Sequence, residues 1–433
     1  MPKINIYDNN LDRPALVIQD NVLSVAIAGL VDSTKWTAAK TAGKVDRNDI
    51  ITLTSTKDFN DCVGDVVDSA EISVGNEIAK SLLSMGYVVY YKKIATSDEL
   101  FGATNPFEAF KEKASYDFRF ITPGVCSSEN ITGTGESEEA RKLDQQAKYA
   151  KIVNYVIEVA HEDATGDPEG GRGDCIALVD IDDAELATYR TTPTKANLLN
   201  GTAKGAKVAL STSAGTVKDK NAAIFAPACT YGTKDFPASY FYLCCFANSI
   251  HKGYAEWYAA AGEIRGLAGT PDKLGASYGD VAINKLEPRS ASDAGIPADL
   301  PCAVNLIANF RGNAVMWGNR TATEFGTDLG YIHFLNIRHI VVSLKKTLYQ
   351  ACRRFTFDPN SDILWTNFTN AISPLLERMK ANEGIRDYRI VKLETQEKAK
   401  LMAKVKIVPI EAVEDFEIEI ALDTTLGDAT VTA

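Results

Sequence analysis

The chain has 433 residues, which at about 150 residues per domain suggests roughly two to three domains. Hydrophobic residues make up 45% and charged residues 24%, the composition of an ordinary folded protein. Forty-six basic and 57 acidic side chains leave a net charge of −11, which excludes a general binder of nucleic acid or of anionic membranes because such a surface repels phosphate. No apolar run reaches the ~20 residues that span a bilayer, so no membrane insertion is expected.

Eight cysteines and four histidines are scattered without the spacing of a metal site. There is no CxxC pair and no HExxH or HxH pattern, so we expect reduced, buried cysteines, no zinc and no other cofactor. The first residues lack the charged-then-apolar order of a signal peptide, and we expect intracellular synthesis.

The pattern of residues 1–20 predicts an extended N-terminal arm. Residues 3–7 (KINIY) alternate polar and apolar side chains, as a strand does, with Ile4 and Ile6 on the apolar face. Arg13-Pro14 then breaks the pattern, and no partner strand follows nearby.

Strands and helices alternate over residues 21–300, which predicts an α/β outer domain with a mostly parallel sheet. Continuous apolar runs predict buried strands, and amphipathic segments between them predict helices. The predicted strands are 25–31, 50–53, 87–91, 118–122, 176–181, 208–210 and 222–226, and the predicted helices are 55–59, 76–85 and 137–160. We interpret residues 125–175, which contain two Gly-rich acidic loops, as a variable insertion.

A stretch rich in Gly, Pro, Ser and Asp, residues 266–300, marks a boundary, and residues 301–412 are predicted to form a smaller C-terminal α+β domain. Asn336 is predicted to cap a helix whose apolar residues fall in one stripe, and Pro374 to kink a second helix. The predicted elements are helices 337–355 and 363–381 and strands 387–393 and 403–410.

The last segment, residues 413–433, is predicted to be a C-terminal arm. Residues 416–422 (FEIEIAL) alternate almost perfectly, as in a strand with one apolar face. That face consists of Phe416, Ile418, Ile420 and Leu422.

One string matches a catalytic motif, because residues 275–279 (GASYG) fit the G-x-S-x-G nucleophile elbow. The elbow requires a buried strand before the serine, whereas residues 269–274 have the composition of a loop. We therefore expect no enzyme, and keep an α/β hydrolase that uses Ser277 as the alternative. The two are distinguished by whether Ser277 lies at a strand–helix elbow near a histidine.

A locally basic stretch stands out against the acidic whole. No Asp or Glu occurs from residue 329 to residue 357. Four basic side chains lie beside the apolar stripe of the predicted helix: Arg338, Lys345, Lys346 and Arg353. Such a row is either a solvated helix face or a contact for an acidic partner.

Three blocks in the C-terminal third, residues 315–321 (VMWGNRT), 335–339 (LNIRH) and 355–360 (FTFDPN), are similar to the patterns "vvWGaRT", "iNvRR" and "f-F-epN" of one family. Less specific blocks of the same family occur in the N-terminal part, at residues 25–31, 53–64 and 78–90, and in the middle, at residues 226–227 and 257–262. Over almost its whole length, the sequence thus resembles contractile tail sheath proteins, the family that forms the outer sleeve of contractile phage tails and tailocins. His339 and Asn319 depart from those patterns.

The resemblance implies a structural subunit without an active site or cofactor. Such subunits assemble as stacked hexameric rings around a tail tube and contract to drive the tube through the host envelope. The implied partners are further copies of the chain, the tube protein, and the baseplate and tail terminator proteins, with no nucleic acid. The implied location is the virion tail of a bacteriophage, or a tailocin, assembled in the host bacterial cytoplasm.

Two kinds of contact are expected on this reading. The arms are expected to pair with the hairpin strands of neighbouring copies, because unpaired strands invite addition of a partner strand. The basic helix is expected to face the tube.

Overall fold

The computed structural model describes most of the chain apart from both arms. The described residues are 22–64, 73–125, 131–162, 171–180, 220–226, 228–231, 234–269, 304–310, 313–322, 331–394, 400–410 and 412. The predicted arm strands and the predicted strand 208–210 lie outside them, as does Ser277.

Within the described residues, nine strands form one mixed sheet and four form two small hairpins. The strands are β1 (Ser24–Gly29), β2 (Ile50–Leu53), β3 (Val88–Lys93), β4 (Phe120–Ile121), β5 (Ile176–Asp180), β6 (Ala222–Ala226), β7 (Cys229–Tyr231), β8 (Lys234–Phe236), β9 (Leu267–Gly269), β10 (Val304–Phe310), β11 (Asn313–Trp317), β12 (Ile385–Leu393) and β13 (Met402–Pro409).

The large sheet has the order β2-β3-β1-β4-β5-β6-β10-β11-β9. Its centre, from β3 through β10, is parallel, and the pairs at both ends are antiparallel. The parallel centre is buried on both faces, which explains why its strands are continuous apolar runs. In β1, Val25 and Ile27 pack into one core, whereas Ala26 and Ala28 pack into the other.

Eight helices of the described residues cover the faces of the sheet or belong to the C-terminal unit. They are α1 (Ser33–Thr41), α2 (Thr56–Cys62), α3 (Ser73–Ser84), α4 (Glu138–Ala160), α5 (Ala238–His251), α6 (Gly262–Arg265), α7 (Leu335–Phe355) and α8 (Asp362–Ala381). The start of α4 follows from local chemistry, because the Ser137 side chain accepts a hydrogen bond from the backbone N–H of Ala140 at 3.1 Å. Ser55 and Ser361 cap α2 and α8 in the same way.

The C-terminal unit consists of α7, α8 and the β12–β13 hairpin. Its small core joins Ile340 of α7, Leu376 and Met379 of α8, and Ile385 of β12. Pro374 lies inside α8, which continues through it to Ala381. The predicted combination of an α/β sheet domain with a smaller α+β unit is confirmed.

The segment 125–175, interpreted as a variable insertion, contains α4, whose buried residues pack in a core of the sheet domain, and that interpretation stays a prediction. Two expectations need correction. The sheet does not end at residue 300, because β10 pairs in parallel with β6 and carries β11 beside it. Asn336 does not cap α7, because the helix begins at Leu335 and Asn336 is buried in its first turn.

Candidate assembly surface

Helix α7 lies between the sheet domain and the other two parts of the C-terminal unit, α8 and the hairpin. Leu335 and Val342 belong to a core of the large sheet, whereas Ile340 and Leu344 belong to the core shared with α8 and the hairpin. A single helix therefore packs against both units, and its apolar residues occupy more than the one face that its sequence predicted.

Most of the basic row of α7 is used inside the chain. Arg338, which is 6% exposed, donates from Nη2 to the carbonyl of Gly173 at 3.0 Å. Lys345 donates to the same carbonyl at 3.1 Å and forms an ion pair with Glu162. Lys346, only 3% exposed, forms an ion pair with Asp117.

The basic row thus fastens α7 to two loops of the sheet domain. Burial lowers the pKa of Lys345 to about 8, with help from the neighbouring positive charge of Arg338. The expectation of an open basic face is wrong for Arg338, Lys345 and Lys346, because packing against the sheet domain supplies their partners. Arg353 is exposed, with its guanidinium carbon 5.8 Å from the centre of the Tyr349 ring.

A buried polar cluster that the sequence analysis missed lies under the same helix. The guanidinium of Arg119, fully buried, donates from Nη2 to Ser343 Oγ at 2.6 Å, and its Nη1 lies 3.4 Å from His339 Nδ1. On the other side of the ring, Tyr242 Oη lies 2.8 Å from His339 Nε2. Ser343 in turn donates to Glu256 Oε1 at 3.1 Å.

The imidazole of His339 is neutral in this cluster. Burial, reinforced by the charges of Arg119 and Arg338, holds the pKa of His339 well below its usual range. Because Arg119 is a donor only, His339 Nδ1 accepts and Nε2 carries the proton that it donates to Tyr242 Oη. The departure at His339 from the sheath-like pattern was the only sequence signal of this cluster.

The motifs that carry the sequence resemblance are structural in this fold. Asn336 donates its backbone N–H to Asn319 Oδ1 at 2.9 Å, and Asn319 Nδ2 donates back to Asn336 Oδ1 at 2.7 Å. Asn305 Nδ2 reaches the carbonyls of Ile224 and Arg320 at 3.0 and 2.9 Å. The Asn319–Asn336 pair holds the segment after β11 against the start of α7, and Asn305 holds the same segment against β10 and β6.

A second joint links the units through Trp257. Its indole N–H donates to the carbonyl of Asn382 at 2.8 Å, and the Arg378 guanidinium lies 5.5 Å from its ring. A Cβ at Gly384 would lie 2.8 Å from Trp257 Nε1, so only glycine permits this close approach.

The two outer edges of the β12–β13 hairpin have no partner strand in the described part of the chain, because no other strand there pairs with either β12 or β13. Residues such as Val405 and Ile407 pack toward the helices, whereas the alternating Arg389, Lys404 and Lys406 are exposed. Across residues 385–394 and 400–409, six basic residues against two acidic ones leave a local charge of +4, opposite in sign to the whole chain.

An apolar groove, which we call the C-terminal groove, lies between α7, α8 and the start of β13. It encloses about 740 Å³ and its lining includes Leu344, Leu348, Cys352, Phe355, Phe368 and Val405. Phe357, in the turn that follows α7, also lines it with a fully exposed side chain and a backbone φ of +76°. Such an exposed apolar surface indicates a contact with another segment or chain.

Catalytic and metal chemistry find no support in the described part of the chain. No group of three or more His, Cys, Asp or Glu side chains there is placed to hold a metal ion. Among the described helices, none is long and apolar enough to cross a membrane. The hydrolase alternative has no observation in its favour, since Ser277 lies outside the described residues.

Comparison with known proteins places the fold. No family model and no curated protein sequence matches the chain. A chain in the structure of the anti-feeding prophage baseplate matches with a TM-score of 0.60 and 13% identity, covering 93% of this chain and 94% of that one. A chain of the PVC sheath complex in its contracted state, from an extracellular contractile injection system, matches with a TM-score of 0.56 and 18% identity over 93% and 92%. The chain has the fold of these injection-system components, as the sequence resemblance implied.

Proposed function

We propose that this chain is the sheath subunit of a contractile tail, a structural protein that polymerises into a helical sleeve. The observation that carries the proposal is the β12–β13 hairpin, since neither of its outer edges pairs with another strand of the described residues. An unpaired edge accepts a strand from another chain, and a head-to-tail contact of that kind builds a helix when its rotation does not close.

The arms supply the added strands. Residues 1–13, with Ile4 and Ile6 on one face, and residues 413–433, with an apolar face of Phe416, Ile418, Ile420 and Leu422, pair with the hairpins of neighbouring copies. Charge supports the C-terminal pairing, because residues 413–433 carry six acidic and no basic side chains, whereas the hairpin is locally basic. Opposite charges on adjacent strands stabilise the pair and select the correct partner.

The sleeve consists of stacked hexameric rings around a tail tube and contracts between two discrete packings. The contacts of α7 with both units make each subunit one body, and the arms absorb the change of angle while the bodies rotate. The partners are the tube, baseplate and terminator proteins of a phage tail or tailocin assembled in a bacterial cytoplasm. In the basic row, Arg353 is exposed and contacts the tube protein. Exposed ion pairs contribute only ~0–1 kcal/mol each, so this contact breaks readily during contraction.

Deletion of residues 1–8 tests the proposal. The truncated protein is expected to stay folded, by circular dichroism, and monomeric, by light scattering, while the full chain forms sleeves in electron micrographs. A matched control replaces Lys3 and Asn5, on the polar face of the arm, by Ser and should keep assembly. Sleeves of normal length from the truncated protein would refute the strand exchange.

A further inference from the structure

We propose that, before assembly, the C-terminal segment folds back on its own chain and covers the C-terminal groove and the free edge of β13. The inference rests on the proposed strand exchange and adds a regulatory step to it. The same site is occupied in cis in the monomer and by a neighbour's segment in the sleeve.

The lengths of the two strands fit. Beyond Pro409 the structure describes residues 410 and 412, so the segment leaves from the end of β13. After a turn within residues 410–415, the seven residues 416–422 span about 24 Å, against about 27 Å for the eight residues of β13. A strand running back along β13 therefore reaches the level of Met402, where the groove lies.

The side chains fit as well. The groove is apolar, and Val405 presents its side chain to it from β13. Alternation places the apolar residues of the segment on one face and Glu417 and Glu419 on the other. With the apolar face over the groove, the two glutamates lie on the outward face of the sheet, where Lys404 and Lys406 are exposed.

Proximity along the chain favours the cis arrangement in dilute solution. A segment tethered by a few residues has an effective concentration of about 1 mM or more at its own hairpin, which a neighbouring copy matches only at high protein concentration. Covering the edge and the groove in the monomer also prevents the unregulated pairing that an open, apolar strand edge invites. Assembly then exchanges one copy of the segment for another.

Cys352 provides a probe, because it lines the groove and is exposed, whereas the other described cysteines are buried. The experiment measures the rate at which a maleimide labels Cys352 in dilute monomer, with Cys126 and Cys302 replaced by Ser. Deletion of residues 413–433 is expected to increase the labelling rate about tenfold. This factor corresponds to a segment that covers the groove about 90% of the time and allows labelling only when it is open. The matched control, deletion of residues 424–433 alone, should leave the slow rate unchanged.

Charge variants test the orientation. The double variant Glu417→Lys/Glu419→Lys is expected to label fast, and adding Lys404→Glu/Lys406→Glu to the same chain should restore slow labelling. Protection that is independent of protein concentration supports the cis contact.

Two outcomes would overturn it: equal rates with and without residues 413–433, or protection that rises with concentration, which assigns the groove to a neighbour's segment. Electron micrographs of the same variants score sleeve formation separately, so failure of the strand exchange is seen independently of the labelling.

Discussion

Arg119 and Ser343 are 224 positions apart in the chain, yet the guanidinium of one donates to the hydroxyl of the other at 2.6 Å in the interior. Arg119 immediately precedes β4 of the central sheet, and Ser343 lies on α7. The bond therefore ties the sheet domain to the helix that supports the C-terminal hairpin. Under the proposed function, this bond makes the hairpin move together with the sheet domain.

Replacing Arg119 by Met should remove the hydrogen bond to Ser343 while keeping most of the buried side-chain volume. The variant loses a charge-assisted hydrogen bond and leaves Ser343 and His339 short of a partner, so the free energy of unfolding should fall by about 2–3 kcal/mol. Urea unfolding of the monomer measures the change. Arg47→Met is the control, since the Arg47 side chain is 80% exposed in its pair with Glu112 and should change stability little. Equal effects of the two substitutions would contradict the role of Arg119.

A comparison of variants at Lys346 and Arg353 distinguishes the buried residues of the basic row, which stabilise the fold, from the exposed one. Lys346→Glu brings a second carboxylate against Asp117 in a buried position, and should lower the free energy of unfolding by about 3–5 kcal/mol. Arg353→Glu, on the exposed end of the same helix, should leave unfolding within about 0.5 kcal/mol. Thermal unfolding of both monomers gives the comparison. If the proposed tube contact holds, only Arg353→Glu yields a folded monomer with impaired assembly on the tube.

His339 should make the protein sensitive to mild acid. Its pKa in the folded chain lies well below the usual value near 6.5, so below pH 6.5 the unfolded chain binds a proton that the folded chain does not. Stability is therefore lost as the pH falls through 6.5, with a slope of at most about 1.4 kcal/mol per pH unit for this one group. The slope of unfolding free energy between pH 6.5 and 5 should decrease in His339→Gln. An unchanged slope in His339→Gln would show that the imidazole is protonated in the folded state.

Gly384→Ala should disturb the joint at Trp257. The added methyl group would lie 2.8 Å from the indole nitrogen, so the indole must shift and its hydrogen bond to Asn382 must stretch. We expect a loss of about 1–3 kcal/mol of unfolding free energy and a change in tryptophan fluorescence. Gly102→Ala is the control, because the nearest atom to its added Cβ is 3.4 Å away. Wild-type fluorescence and stability in Gly384→Ala would refute the close approach.

The sequence by itself determined the local elements. Serines at residues 55, 137 and 361 cap helices because a cap depends on the three or four residues that follow it. The strands β1 and β3 to β6 of the parallel centre were visible as apolar runs, since a strand covered on both faces needs apolar side chains at every position. Motifs around residues 315–360 were enough to indicate the fold.

Only the tertiary structure decided which residues the helices and strands contact. The helical periodicity of α7 placed Lys345 and Lys346 beside its apolar stripe, but the acidic partners Glu162 and Asp117 come from 183 and 229 positions away. The domain boundary expected at residue 300 is a second case. The loop-like composition of residues 266–300 suggested it, but β10, which follows this stretch, pairs with β6 in the same sheet. The periodicity of a sequence predicts which face of a helix or strand is apolar. It does not predict which distant residues pack on that face. Those long-range contacts determine whether a charged side chain is solvated, paired or buried.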